Sequence, residues 1–134
     1  MDAIDKIYNP YDFSSTRCYV IVIEPHGSAL TKIEHKLPSY IRTIRGIYVT
    51  NTFRSNIINH VGILSLNFNG NAFKTFHLPL PNTRIQPEVS NPLNLNERLE
   101  PNSFLQGYFY GIKSLLPKNY YRISIYIHYD YERK

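Results

Sequence analysis

The stretch YRISIYIHYDYE, residues 121–132, decides the fold. Taken alternately, Tyr121, Ile123, Ile125, Ile127, Tyr129 and Tyr131 share one side. Arg122, Ser124, Tyr126, His128, Asp130 and Glu132 share the other. A period of two is the signature of a strand with one face in a core and one turned away. The polar side carries Ser124, His128 and Asp130 in sequence, which raises the question of a catalytic relay. Along a straight strand, residues two apart lie about 6.5–7 Å apart at Cα. A serine–histidine–aspartate relay needs contacts of about 2.6–3.2 Å at both ends of the histidine. The spacing therefore reads as the polar face of a sheet.

Further strands surround this one. Residues 18–23 (CYVIVI) are apolar on both sides, which predicts a central strand covered on both faces. Residues 30–36 have mixed alternation and form a candidate strand. Residues 40–49 are β-branched and aromatic, and their alternation slips at Gly46, which predicts a bulge. In VGILSLNFNGNAFKTFHL, Leu64, Leu66 and Phe68 alternate with polar residues over 63–68. Asn69-Gly70 then predicts a type I′ hairpin, because both central positions need positive φ, with the return strand over 73–78. Residues 105–110 and 121–129 complete the set. The expected core comprises Val20, Val22, Ile47, Leu64, Leu66, Phe68, Ile123, Ile125 and Ile127. Regular short strands without an amphipathic helix indicate an all-β protein, a single antiparallel β-sandwich of jelly-roll-like form spanning residues 1–134.

Two segments stand apart. Residues 1–16 carry Ile4, Ile7 and Tyr8 at helical spacing and are closed by Asn9-Pro10, giving a helical turn or an arm. Residues 79–103 contain five prolines and several asparagines. Proline neither donates to a sheet ladder nor sits inside a helix. Such a long segment is either an extended arm laid on a partner or a crossing connection with a short strand near Val89 or Leu95. As an arm it makes Arg84, Ile85, Pro87, Val89, Leu93 and Leu95 interface residues, with Tyr8 and Tyr11 contributed by the N-terminal segment.

At 134 residues, with 43% hydrophobic and 19% charged residues, the chain can bury a core and is not a disordered polymer. The longest apolar run is far shorter than the roughly 20 residues of a membrane-spanning helix, so no membrane partner is expected. The N-terminus has acids where a signal peptide is basic, and there is no Asn-x-Ser/Thr acceptor, which argues against secretion. Cys18 is the single cysteine and reads as a small buried hydrophobe.

Net charge is +5. No acid occurs between Glu34 and Glu88, whereas Lys36, Arg42, Arg45, Arg54, Lys74 and Arg84 fall there. Lys36, Arg42, Arg45 and Arg54 form a candidate basic patch for nucleic acid or for an acidic protein neighbour. No phosphate-binding glycine motif is present. His128-x-Asp130 offers two metal ligands, but it stands at the end of the chain where a barrel metal site would have it early. Glu97 and Glu100 lie in the proline-rich segment, a poor frame for paired-carboxylate chemistry. No catalytic residue, cofactor or metal is expected. The twelve tyrosines suit strands and also interfaces, where a ring with a polar tip is favoured.

The run RGIYVT…VGILSLNFNGN…FLQGYFYG…YRISIYIHYDYE resembles small β-sandwich virion proteins of tailed bacteriophages, in particular ring and decoration proteins of the crAss-like group. The resemblance implies an antiparallel sandwich, a virion setting (or the host cytoplasm during assembly) and symmetric self-assembly. It assigns no residue. The expected function is a non-enzymatic structural subunit, a tail or connector ring or a capsid accessory protein, contacting copies of itself and neighbouring structural proteins. The alternatives are a basic β-barrel that binds nucleic acid and, after it, a jelly roll that binds carbohydrate or metal.

Overall fold

The computed structural model describes residues 16–25, 30–52, 60–81, 93–111 and 121–130. Eight strands follow one another: β1 (Thr16–Ile23), β2 (Leu30–Lys36), β3 (Thr43–Asn51), β4 (His60–Phe68), β5 (Phe76–Pro81), β6 (Leu93–Arg98), β7 (Phe104–Gly111) and β8 (Ile123–Asp130). They form two four-stranded sheets, ordered β1-β8-β3-β6 and β2-β7-β4-β5. Every pairing among them is antiparallel. The sheets pack face to face as a β-sandwich. Only β4 and β5 are neighbours both in sequence and in a sheet; the other connections pass from one sheet to the other. This eight-stranded two-sheet order is the jelly roll.

The core is built from the inward side of each strand. Ile123, Ile125 and Ile127 of β8 are fully buried, and Ser124, Tyr126 and His128, which alternate with them, are half-buried. Ile47, Leu64, Leu66 and Phe68 are buried as expected, joined by Ile21, Ile33, Ile44, Val49, Leu80, Leu105 and Phe109.

Val20 and Val22 are not in the core. They remain 45% and 52% exposed, and Cys18 is exposed as well. The reason is topological: β1 lies at the edge of its sheet, pairs with β8 alone among the described strands, and turns only Tyr19, Ile21 and Ile23 inward. The unbroken apolar run that suggested a central strand thus belongs to an edge strand with an apolar outer face.

The hairpin is right in its turn and wider than expected in its span. Asn69 (φ 57°) and Gly70 (φ 71°) take the left-handed positions, and the Asn71 amide donates to the Phe68 carbonyl at 3.1 Å. A single 3-10 turn, Ala72–Lys74, then intervenes, with the Asn71 side chain accepting from the Phe73 amide at 3.2 Å. The return strand therefore starts at Phe76, opposite Leu66, and Phe73 is fully exposed. In β3 the pairing shifts between Ile44 and Gly46, as the slip in the pattern predicted.

Part of the proline-rich segment belongs to the fold. Its residues 93–98 form β6, paired with β3, and Leu99 is buried. This is the short strand near Leu95. The Leu99 amide donates to the Arg42 carbonyl at 2.6 Å, and Arg42 Nε returns a bond to the Leu99 carbonyl at 3.1 Å. The next turn has Asn102 at φ 67° and is tied by Ser103 Oγ donating to the Glu100 carbonyl at 2.6 Å. The expected N-terminal helical turn or arm lies outside the described residues.

Candidate functional site

A two-sheet sandwich has four edge strands, here β1, β6, β2 and β5. Each pairs with one strand only among the described residues, and an edge in general presents amides and carbonyls that can template another chain, which proteins blunt with charges, prolines or shortness. Three edges are blunted. Strand β2 carries Lys32, Glu34 and Lys36; β5 carries Pro79 and Pro81, which have no amide hydrogen to offer; β6 has six residues and ends in Glu97 and Arg98. The fourth, β1 (TRCYVIVI), is eight residues long, has neither proline nor glycine, and bears Arg17 as its one charge.

The outer face beside that edge is apolar and aromatic. Val20 lies opposite Tyr126, which lies opposite Tyr48 on β3. The two tyrosine rings stack with centroids 4.6 Å apart and planes 9° apart. Cys18 lies opposite His128, whose ring stacks on Tyr48 at 5.3 Å. Desolvation by these neighbours pushes the Cys18 thiol and the Tyr48 phenol up and the His128 imidazole down. Each shift favours the uncharged form, so the patch stays neutral around pH 7.

The charged groups near this face are held at its border. Arg45, at the shift in β3, grips both oxygens of Asp130, with Nε at 3.0 and 2.9 Å and Nη2 at 2.7 Å. Its Nη1 donates to Asn96 Oδ1 on β6 at 2.8 Å. Asp130 thus serves as the arginine's acceptor, and His128 as a ring in an aromatic stack. Among the described residues, no three His, Cys, Asp or Glu side chains gather closely enough to hold a metal ion.

The residues singled out from the sequence are dispersed. Leu93 and Leu95 lie on the inward side of β6, partly buried against the core. Lys36 ends β2 in one sheet and Arg45 sits in β3 of the other. Arg42 and Arg45 are engaged by the Leu99 carbonyl and by Asp130. The stretch without acids in sequence meets acids in space: Lys74 pairs with Glu97 at 3.4 Å, just as Arg45 pairs with Asp130. Arg54, Arg84, Ile85, Pro87, Val89, Tyr8 and Tyr11 lie outside the described residues. The residues that sequence reasoning missed are Cys18, Val20 and Val22. Their signal was present in the charge-free run 18–23, read as burial where it marked an edge strand with an apolar outer face.

Compared with protein-family models, curated proteins and solved structures, the chain has no significant match. Among the described residues, no helix is long and apolar enough to cross a membrane.

Proposed function

We propose that the protein is a non-enzymatic structural subunit that associates with further copies of itself through β1, building a larger symmetric particle. The observation that carries the reading is the contrast between β1 and the three blunted edges. An edge left long and apolar is a liability for a monomer and a joint for an assembly. The jelly roll is an architecture of viral capsid proteins as well as of lectins. Together with the resemblance to phage virion proteins, this supports a virion setting.

Magnitudes fit a weak joint multiplied by symmetry. A backbone hydrogen bond contributes about 0.5–1.5 kcal/mol net. Completing the burial of a half-exposed valine adds about 1 kcal/mol. One strand pairing therefore roughly offsets an association cost of about 4–15 kcal/mol, and closure of a ring, or a neighbouring structural protein, supplies the rest. Pairing β1 with β1 of a second copy closes a two-fold dimer. Seating β1 on a different surface of the next copy is a head-to-tail contact, which gives a ring where its rotation closes.

Light scattering on the full chain over a wide concentration range tests the reading. The wild type should reach a multiple of 15.7 kDa, two for the dimer and more for the ring. Val20→Lys should return it to the monomer with an unchanged circular dichroism spectrum, because residue 20 faces outward. A wild type that stays monomeric throughout, or a Val20→Lys protein that assembles like wild type, would refute it.

A further inference from the structure

The opposite sheet has a different outer face. The register places Leu30, Tyr110, Ile63 and Pro79 in one row across it, and Lys32, Tyr108, Ser65 and His77 in the next. The first row is apolar, with Tyr110 51% exposed. The second carries Tyr108, 40% exposed, between Lys32 and Ser65 and is otherwise polar. The two tyrosine rings lie side by side, centroids 6.1 Å apart and tilted by 44°. Beyond them the surface sinks into an open depression of about 520 Å³, within the range of about 300–1,000 Å³ typical of small-ligand sites.

The groups around it both donate and accept. Ser65 Oγ is hydrogen-bonded to His77 Nδ1 at 2.6 Å, and Gln106 Nε2 donates to Glu34 Oε2 at 3.3 Å, leaving its carbonyl oxygen as an acceptor. Asn67 Oδ1 is buried and accepts no hydrogen bond among the described residues. A buried acceptor left without a donor costs about 1–3 kcal/mol. Formal charge cancels locally, because Lys32 stands 4.0 Å from Glu34.

We infer that this face, centred on Tyr108 and Tyr110, binds a neutral oligosaccharide. A sugar ring offers C–H bonds on its faces and hydroxyls on its rim. The C–H faces pack on aromatic rings, whose faces carry negative charge density. The hydroxyls donate and accept at once, which suits amide, hydroxyl and imidazole partners better than it suits a field of one sign. The open form of the depression lets a chain of sugars run across the two rings. A polyanion would call for a surplus of cations, and here Glu34 offsets Lys32. An apolar partner would strip water from the Gln106 carbonyl oxygen and the charged Lys32 and Glu34 and offer them nothing in return. The face lies on the sheet that does not contain β1, so the two surfaces are distinct.

The test is a ¹⁵N NMR titration of the full chain with neutral hexasaccharides (β-1,4-gluco, β-1,4-xylo, β-1,3-gluco and α-1,4-gluco) and with a sulfated hexasaccharide. At least one neutral sugar should shift the amides of β4 and β7 around Ser65, Asn67, Gln106 and Tyr108 at millimolar concentration or below. Tyr108→Ala and Tyr110→Ala, each checked for an intact spectrum, should weaken that binding by about tenfold or more, a change of about 1.4 kcal/mol. Gln106→Ala should weaken it with both rings in place, and Val20→Ala on the other sheet should not. No shift with any neutral sugar, shifts that map elsewhere, tyrosine variants that bind like wild type, or tighter binding of the sulfated sugar would each overturn the assignment.

Discussion

Arg45 and Asp130 are 85 residues apart and form a bidentate ion pair, Nη2 to Oδ2 at 2.7 Å, at the shift where β3 pairs with β8. The irregularity aims Arg45 at the last residue of β8, and the same guanidinium reaches Asn96 on β6. One side chain thereby ties three adjacent strands together. Both partners are substantially exposed, so screening by water and salt limits what the pair contributes. Arg45→Ala and Asp130→Asn should each cost no more than about 1 kcal/mol in urea unfolding. The coupling in a double-mutant cycle should shrink as salt is raised. A loss of several kcal/mol would contradict the solvent exposure of the pair.

The inward and outward sides of β1 and β8 should respond in opposite ways. Ile125 is fully buried, and Ile125→Asp places an unpaired charge in the core, so the chain should fail to fold. Ile125→Ala should cost about 2–5 kcal/mol. Val22→Thr, on the exposed face of β1, should change the stability of the dissociated chain by less than about 0.5 kcal/mol. Denaturant melts at low protein concentration make the comparison.

Gly107 in β7 has φ +153°, and a Cβ there would come within 1.9 Å of the Ser65 carbonyl oxygen on β4. That approach lets β7 and β4 pair beneath Tyr108. Gly107→Ala meets rigid backbone rather than a movable side chain. It should lose more than the ~1–3 kcal/mol of an isolated strained residue, read as a drop in melting midpoint.

These elements show what was legible from sequence. Strand β8 was plain because one face is core and the other is not, so its pattern alternates. Strand β1 was misassigned because a continuous apolar run looks the same in a strand covered on both sides and in an edge strand whose outer face is apolar. The Asn69-Gly70 turn was legible from local dihedral preference. The register beyond it was not, because Asn71 caps a 3-10 turn that delays the return strand to Phe76. Leu93 and Leu95 alternate within a proline-rich segment, a signal weak enough to suit an arm as well as a strand. The Arg45–Asp130 pair was out of reach, since it depends on a pairing between chain segments 85 residues apart.

His128 stands among Cys18, Tyr48 and Tyr126, with Asp130 and Arg45 beyond it, and burial lowers its pKa below the ordinary value of about 6.5. The unfolded chain then binds a proton more readily than the folded one. Stability contributed by the neutral ring is complete above about pH 6.5 and is lost as pH falls toward the lower folded pKa. The melting midpoint should fall across that window in wild type and fall less in His128→Gln. NMR titration of the His128 ring should show a pKa below that of a free imidazole. A value at or above it would contradict the burial described for the ring.

Hydrogen–deuterium exchange of the β1 amides as a function of protein concentration tests the central claim most directly. In an edge strand, alternate amides point away from the sheet and exchange freely until another strand pairs with them. Self-association through β1 predicts that exchange at alternate positions of Thr16–Ile23 slows as concentration rises, while the outward amides of the blunted edge β2 exchange at a constant rate. Exchange in β1 that is independent of concentration, or slowing confined to another edge, would contradict it.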